Sequence, residues 1–211
     1  MKKCLRTKQI LILTDGKVGH EKQSLAIAQY FPNADVQTVR ISYRGSFHYI
    51  AFSLLIPWIS GRSKQALKWV LTPESYSKVH KTSPNIIIAT GSKLNAVTIA
   101  LSKWKQAKNI VVMEPSWGRW NQYDLLFIPK HDHPPKRSNI IPIPFPPVFQ
   151  VKENLSDEIL DFQNQFQLNA KKYISVFLGG PNAVYTYPKD FTENLIQKLK
   201  NIYENEGSHF L

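Results

Sequence analysis

Short runs of apolar and β-branched residues recur along the first two thirds of the chain and alternate with stretches of helical periodicity. The runs are Lys8–Thr14, Asn85–Thr90, Ile110–Met113, Asp124–Ile128 and Asn139–Ile143, with Asp35–Ile41 alternating polar and apolar residues. Helical spacing marks Glu21–Phe31 and Lys93–Lys105. Continuous runs of this kind are typical of parallel strands that helices cover on both faces. The pattern predicts an α/β fold built on a parallel sheet.

Four prolines end this alternation: Pro142, Pro144, Pro146 and Pro147. Proline cannot donate to a strand ladder or sit inside a helix, so the run IPIPFPPV predicts an extended linker. Beyond it we predict a helix over Leu155–Phe166, a strand over Tyr173–Leu178, a helix over Phe191–Tyr203 that Gly207 ends, and the start of a strand at Ser208–Leu211.

This organisation predicts a first domain over residues 1–143, a proline-rich linker over 144–150 and the beginning of a second domain over 151–211. One strand, one helix and the start of another strand cannot bury both faces of a parallel sheet. We therefore expect the second domain to be incomplete. The alternative is that residues 151–211 dock onto the first domain as an extension.

Charge is distributed unevenly along the chain, whose net charge is +12. Residues 1–150 hold 21 Lys and Arg against 7 Asp and Glu, and residues 151–211 hold 6 against 8. This asymmetry predicts an anionic partner for the first part, either lipid, nucleotide or nucleic acid. Nucleic acid ranks last, since no zinc-finger, RRM or KH signature accompanies the charge. The single cysteine, Cys4, excludes an internal disulfide, and with no export signal the sequence predicts a cytoplasmic protein.

The segment Tyr43–Leu71 combines aromatic and aliphatic residues with basic flanks. Its apolar stretch Tyr49–Ile59 is about half as long as the roughly 20 residues of a membrane span, and Pro57 interrupts it. The apolar residues are Phe47, Tyr49, Phe52, Leu54, Leu55, Ile56 and Trp58, between Arg40 and Arg44 on one side and Arg62, Lys64 and Lys68 on the other. The segment suits a helix at the surface of an anionic membrane, and equally a core helix packed on the sheet.

The loop Thr14–Ser24, TDGKVGHEKQS, joins the first predicted strand to the first predicted helix. Loops at the carboxyl ends of parallel strands form the ligand sites of open α/β folds, and glycines there let N–H groups approach a phosphate. The loop fits neither GxGxxG nor the Walker A motif. A polar turn that begins a helix is the alternative to an anion site.

The same loop resembles the signature DGKxGHExQSxG of the mitochondrial-fission ELM family, a bacterial group described as glycosyltransferases. Further segments resemble its motifs TGSR, M-D-P, V-P-E-H-D and the loop that opens its second domain. In order, these segments are Ala89–Lys93, Met113–Pro115, Ile128–Asp132 and Gly179–Pro181. The chain departs from the family at Lys93, Glu114 and Lys130, which replace arginine, aspartate and glutamate. The proline-rich run replaces a glycine-containing segment.

The resemblance implies a GT-B-like fold: two Rossmann-like domains that face each other across a cleft, with acceptor on the first and nucleotide-sugar mainly on the second. It implies metal-independent sugar transfer to a membrane-linked or cell-envelope acceptor, with the nucleotide-sugar as donor substrate and no cofactor. Family members continue through a complete second domain, so we expect this chain to be an inactive or partial version. From the cysteine content and the basic apolar segment we expect a cytoplasmic protein that attaches peripherally to the inner face of the membrane. The alternative is a non-catalytic membrane-associated adaptor of the fission-protein type.

Sugar transfer needs a base for the acceptor hydroxyl and positive charge or N–H dipoles for the departing diphosphate. The candidate bases are His20, Asp15 and Asp132, each of which is otherwise an ordinary turn or surface residue. Acceptor and phosphate contacts are expected from Gly16, Lys17, Gly19, Glu21, Gln23, Gly91, Ser92, Lys93 and His131, and donor contacts from Gly179, Gly180, Pro181 and Asn182. No metal site is expected, because His131, Asp132 and His133 lack further obvious ligands.

Overall fold

A computed structural model describes residues 7–59, 61–149, 156–168, 173–180, 186–207 and 209–210. The chain divides into two compact units, Met1–Val151 and Lys152–Leu211.

A six-stranded parallel sheet forms the centre of the first unit. Its strands are β1 (Gln9–Thr14), β2 (Asp35–Arg40), β3 (Ile86–Thr90), β4 (Lys108–Val112), β5 (Leu125–Pro129) and β6 (Ile140–Ile143). Their order across the sheet is β2-β1-β3-β4-β5-β6, and every neighbouring pair is parallel. The predicted α/β fold with a Rossmann-like sheet is confirmed.

Five helices accompany this sheet among the described residues of the first unit. They are α1 (Val18–Ala28), α2 (Ser46–Leu55), α3 (Ser63–Val70), α4 (Pro73–Lys81) and α5 (Asn95–Lys105). Side chains of the central strands alternate between two cores, because successive residues of a strand point to opposite faces. Leu11 and Leu13 pack in the core that includes Phe52 of α2, whereas Ile10 and Ile12 pack with Ile27 of α1. The central strands β1 and β3 are therefore buried on both faces and consist mainly of apolar residues.

The order of the strands produces a topological switch point between β1 and β3. From β1 the chain passes to β2 at one edge, and it then returns to place β3 on the other side of β1. The loops that leave β1 and β3 consequently diverge, and a crevice opens between them at the carboxyl edge of the sheet. The loop Thr14–Ser24 begins at this crevice.

The edge strand β6 includes Ile141, Pro142 and Ile143, the first three residues of the run IPIPFPPV that was predicted as an extended linker. Pro142 lies inside β6, opposite Ile128 of β5. A strand at the edge of a sheet has one side without a partner, so a proline there removes no ladder hydrogen bond. The strand ends at Ile143, and the later prolines follow it.

In α1, the helix begins at Val18, three residues before the predicted start at Glu21. The N–H of Glu21 donates to the carbonyl of Lys17 at 3.1 Å, which closes the first turn around Gly19. A glycine in the first turn destabilises a helix only slightly, so α1 can begin before Gly19. His20 therefore lies on a helix and not in a loop.

The second unit contains two helices and a two-stranded parallel ladder in its described part. They are α6 (Ser156–Gln165), β7 (Tyr173–Ile174), α7 (Phe191–Glu206) and β8 (His209–Phe210). The predicted strand Tyr173–Leu178 is thus shorter, and Phe177 is 93% exposed. Gly207 ends α7 as predicted, with φ of 62° and its N–H on the carbonyl of Tyr203 at 2.9 Å.

Candidate functional site

The crevice between β1 and β3 brings two of the predicted motifs together. Residues 15–17 follow β1, and residues 91–93 follow β3. Because the two strands are adjacent and parallel, their carboxyl ends lie side by side at one edge of the sheet. Ten of the predicted site residues, those between positions 15 and 23 and between 91 and 93, belong to these two strand ends and to α1.

Asp15 and His20 form a pair in this crevice. The Nδ1 atom of His20 lies 3.1 Å from Oδ2 and 3.2 Å from Oδ1 of Asp15. The Asp15 side chain is only 8% exposed, whereas that of His20 is 26% exposed. Asp15 Oδ1 also accepts the N–H of Lys17 at 3.1 Å, which fixes the carboxylate on the turn.

The pairing determines which nitrogen of His20 is available for chemistry. An ionised carboxylate can only accept hydrogen bonds, so the contact favours a proton on Nδ1. In the neutral ring Nε2 is then the acceptor. A histidine held in this way can take a proton through Nε2, and the carboxylate stabilises the imidazolium that results.

Gly91 allows the imidazole of His20 to occupy its place. A Cβ atom at position 91 would lie 2.6 Å from both Cε1 and Nδ1 of the ring, closer than real Cβ atoms approach other atoms. The φ of Gly91 is 99°, which also favours glycine. Beside it, the buried hydroxyls of Ser24 and Thr90 hydrogen-bond at 2.9 Å and join α1 to the end of β3.

Arg40 was missed as a site residue, although it is the last residue of β2. Gly16 has φ of 89°, and a Cβ atom there would lie 3.0 Å from Cζ and Nη2 of Arg40. The guanidinium therefore lies over the turn between Asp15 and Lys17. The sequence did contain an indication, because Arg40 is a charged residue at the carboxyl end of a predicted strand. The carboxyl end of a strand next to β1 lies beside the crevice, so a long side chain there can reach it.

A cleft of about 480 Å³ lies beside the loop that follows β3. It is lined by Tyr43, Gly45, Ser46, Tyr49, Ile50 and Lys93. The hydroxyl of Tyr43 donates to the carbonyl of Lys93, and burial together with the neighbouring Tyr49 raises the pKa of this phenol. The indole Nε1 of Trp117 donates to the hydroxyl of Tyr49 at 2.8 Å. The two tyrosines are thus fixed as one wall of the cleft.

The remaining residues predicted around the first loop lie on α1 or near it. Gly19 is exposed, with open space around its Cα, and Glu21 is half-buried. The Oε1 atom of Gln23 is buried without a hydrogen-bond partner among the residues that the structure describes. Ser92 is exposed and begins a 3-10 turn that ends at Leu94.

Asp132 and His131 lie apart from His20. They belong to a 3-10 turn after β5, where His131 Nε2 is 3.5 Å from Asp132 Oδ1. The sheet places β3 and β4 between β1 and β5, and three steps of about 4.8 Å separate those strands by roughly 14 Å. Asp132 thus pairs with its neighbour His131, whereas His20 pairs with Asp15. Within the described ranges, no three His, Cys, Asp or Glu side chains are grouped to hold a metal ion.

The loop predicted for the donor is only partly described. Gly179 and Gly180 are exposed, and the hydroxyl of Tyr187 donates to the carbonyl of Gly179. Pro181 and Asn182 lie outside the described residues.

Together the sheet and the crevice define the first unit as a Rossmann-like α/β domain with an Asp–His pair at its switch point. Within that class, the chain belongs to the family Mitochondrial fission ELM1, whose match extends over residues 18–211. The family resemblance is therefore confirmed. Comparison with curated proteins and with solved structures found no match.

Proposed function

We propose that this protein is a glycosyltransferase that moves a sugar from a nucleotide-sugar to a hydroxyl group of an acceptor, with His20 as the general base. The observation that carries the proposal is the contact between Asp15 and His20 at the switch point of the sheet. A histidine whose Nδ1 is held by a nearly buried carboxylate is an arrangement suited to proton abstraction through Nε2.

In the proposed reaction, Nε2 of His20 removes the proton of the acceptor hydroxyl while the hydroxyl oxygen attacks the anomeric carbon of the donor sugar. The bond between that carbon and the diphosphate oxygen breaks, and the nucleoside diphosphate leaves with the electron pair. The proton remains on His20, where the carboxylate of Asp15 stabilises the imidazolium. Asp15 is thus a positioning residue in this proposal.

Positive charge near the crevice would stabilise phosphate groups of the substrates. Lys17 is exposed beside the Asp15–His20 pair, and the Arg40 guanidinium lies over Gly16. Within the described residues, neither side chain forms an ion pair with a carboxylate. We assign both to phosphate binding, together with Lys93 at the neighbouring strand end. Gly179 and Gly180 are assigned to the nucleotide-sugar on the basis of the family resemblance.

The test is sugar transfer from UDP-, GDP- and CMP-sugars to cell membranes as acceptor. His20→Gln keeps a polar side chain of similar size and removes the base. We expect it to lower turnover by a factor of about 100 or more while the circular dichroism spectrum stays unchanged. His80→Gln, on α4, is the matched control and should retain turnover.

Undiminished turnover in His20→Gln would remove His20 from the reaction. If no donor is consumed by the unaltered protein under any of these conditions, the catalytic proposal fails and a non-catalytic adaptor becomes the better interpretation.

A further inference from the structure

Helix α2 is apolar on two opposite faces. One face is buried, where Phe52 is 1% exposed and Ile56, just after the helix, is fully buried. The other forms a stripe at spacings of three and four residues, which place side chains on one side of a helix. The stripe consists of Phe47, Ile50 and Leu54 on α2 and is continued by Trp58 in the turn after the helix, with exposures of 74%, 48%, 55% and 70%. Single exposed apolar residues are ordinary, but a continuous stripe marks an interaction surface.

The charge around the stripe indicates what this surface contacts. Between Asp35 and Glu74 the sequence contains no acidic residue. It contains five basic residues: Arg40, Arg44, Arg62, Lys64 and Lys68. Arg119 from another segment adds its guanidinium 6.0 Å from the ring of Trp58. A segment that combines exposed apolar side chains with basic residues and contains no carboxylate of its own is complementary to an anionic lipid surface.

The stripe is continuous with the cleft beside the candidate site. Ile50 belongs to the stripe and also lines the cleft, which Lys93 lines as well. Lys93 follows Gly91, the residue against which His20 packs. The backbone from Gly91 to Lys93 therefore links the cleft to the Asp15–His20 pair, and a molecule anchored in the membrane at α2 would enter this cleft at Ile50. The Lys93 ammonium is a suitable partner for a phosphate on such a molecule.

We propose that the exposed stripe of α2 docks on an anionic bilayer and that the acceptor is consequently a lipid-linked phosphate compound that enters the cleft at Ile50. The second part of this proposal rests on the proposed sugar transfer, whereas the docking does not. Within the described residues no helix is long and apolar enough to cross a membrane, and the docking requires none.

The experiment is sedimentation of the 211-residue chain with vesicles of phosphatidylcholine that contain about 30% phosphatidylglycerol. The test variant combines Phe47→Ser, Leu54→Ser and Trp58→Ser. The matched control combines Tyr30→Ser, Phe145→Ser and Val148→Ser, which are 73%, 66% and 73% exposed outside α2. We expect the test variant to lower vesicle affinity by about tenfold or more, and the control by less than about twofold. Both should show the same thermal unfolding as the unaltered chain.

A second pair of variants tests the charge. Arg62→Gln, Lys64→Gln and Lys68→Gln should weaken vesicle binding by about tenfold or more, whereas Lys81→Gln, Lys136→Gln and Arg137→Gln should have a smaller effect. Binding should also weaken as salt rises to about 1 M, where the screening length falls to about 3 Å. Equal loss in both charge variants would overturn the assignment to α2. A concentration-dependent dimer that the serine variant abolishes, with no vesicle binding, would instead identify a second copy as the occupant.

The docking and the transfer can fail independently. His20→Gln should bind vesicles as well as the unaltered chain does, because His20 lies outside the stripe. If vesicles bind but His20→Gln keeps full turnover, the transferase proposal fails and the docking stands. If transfer depends on His20 but the unaltered chain does not sediment with the vesicles, and the serine variant behaves as the unaltered chain does, the docking proposal fails and the transferase proposal stands.

Discussion

The imidazole of His20 packs so closely on the backbone of Gly91 that a Cβ atom at position 91 would lie 2.6 Å from its Cε1 and Nδ1 atoms. This contact places the ring between the carboxylate of Asp15 and the strand end of β3. The first loop motif and the segment Thr90–Lys93 are separated by about 70 residues in the sequence, but they lie side by side because the switch point brings their strands together.

Gly91→Ala should displace His20. The added methyl group cannot fit beside the ring, and the φ of 99° is unfavourable for alanine. We expect urea denaturation to show a loss of about 1–3 kcal/mol in the free energy of unfolding. Gly19→Ala is the contrasting change: its Cβ would meet no atom within 4 Å, and the position lies in the first turn of a helix, so stability should stay the same or rise by about 0.5 kcal/mol at most. Equal denaturation midpoints for the two variants would contradict this packing.

Asp15→Asn should change the tautomer of His20. The amide of asparagine can donate to Nδ1, whereas the carboxylate can only accept, so the proton would shift to Nε2 and block that atom as a base. We expect turnover to fall by a factor of about 10² to 10⁴. Nitrogen-15 NMR of the His20 ring should show the change of tautomer, and Asp35→Asn, at the exposed start of β2, should leave both readouts unchanged. Reduced turnover with an unaltered tautomer would point to another role for Asp15.

The fold could be predicted from the sequence because its parallel strands are buried on both faces. Runs such as ILIL in β1 and IIIA in β3 leave little choice of structure, and their boundaries differ from the predicted ones by one or two residues. Met113 was predicted in β4, but the strand ends at Val112 and Met113 has φ of 78°. The identity of a methionine gives no indication of such a backbone conformation.

The site was predictable in its members but not in its geometry. The motif pointed to Asp15 and His20, yet their pairing depends on the positive φ of Gly16 and on the early start of α1, which together bring residues five positions apart into contact. The positions of Arg40 and Tyr43 beside the candidate site depend on contacts between distant segments. The spacing of residues along the sequence does not predict such contacts.

Phe47 and Phe52 should separate the two faces of α2. Phe52 is 1% exposed in the core, so Phe52→Ala should lower the free energy of unfolding by about 3–5 kcal/mol. Phe47 is 74% exposed, and Phe47→Ala should change it by less than about 0.5 kcal/mol. Chemical denaturation of both variants provides the measurement. A large loss of stability in Phe47→Ala would mean that the stripe is covered in the folded protein.

Two tyrosines of the first unit have phenols whose hydroxyls donate to backbone carbonyls. Tyr43 donates to Lys93 beside the cleft, and Tyr123 donates to Trp117. Burial raises the pKa of both phenols above the usual value near 10, and Tyr49 contributes further to the shift of Tyr43. Each hydroxyl therefore keeps its proton more firmly in the folded protein than in the unfolded chain.

These raised pKa values predict that the protein loses stability at alkaline pH. Below about pH 10 both states keep the phenol protons, and the contribution of each tyrosine is complete. Above that pH the unfolded chain ionises first, so the free energy of unfolding should fall by up to about 1.4 kcal/mol per pH unit for each tyrosine. Tyr123→Phe should lower stability at pH 8 by loss of its hydrogen bond, but it should make the alkaline decline less steep. Denaturant unfolding from about pH 8 to 11 measures this, with Tyr30→Phe as the exposed control that keeps the full decline. An unchanged slope in Tyr123→Phe would show that other groups cause the alkaline loss.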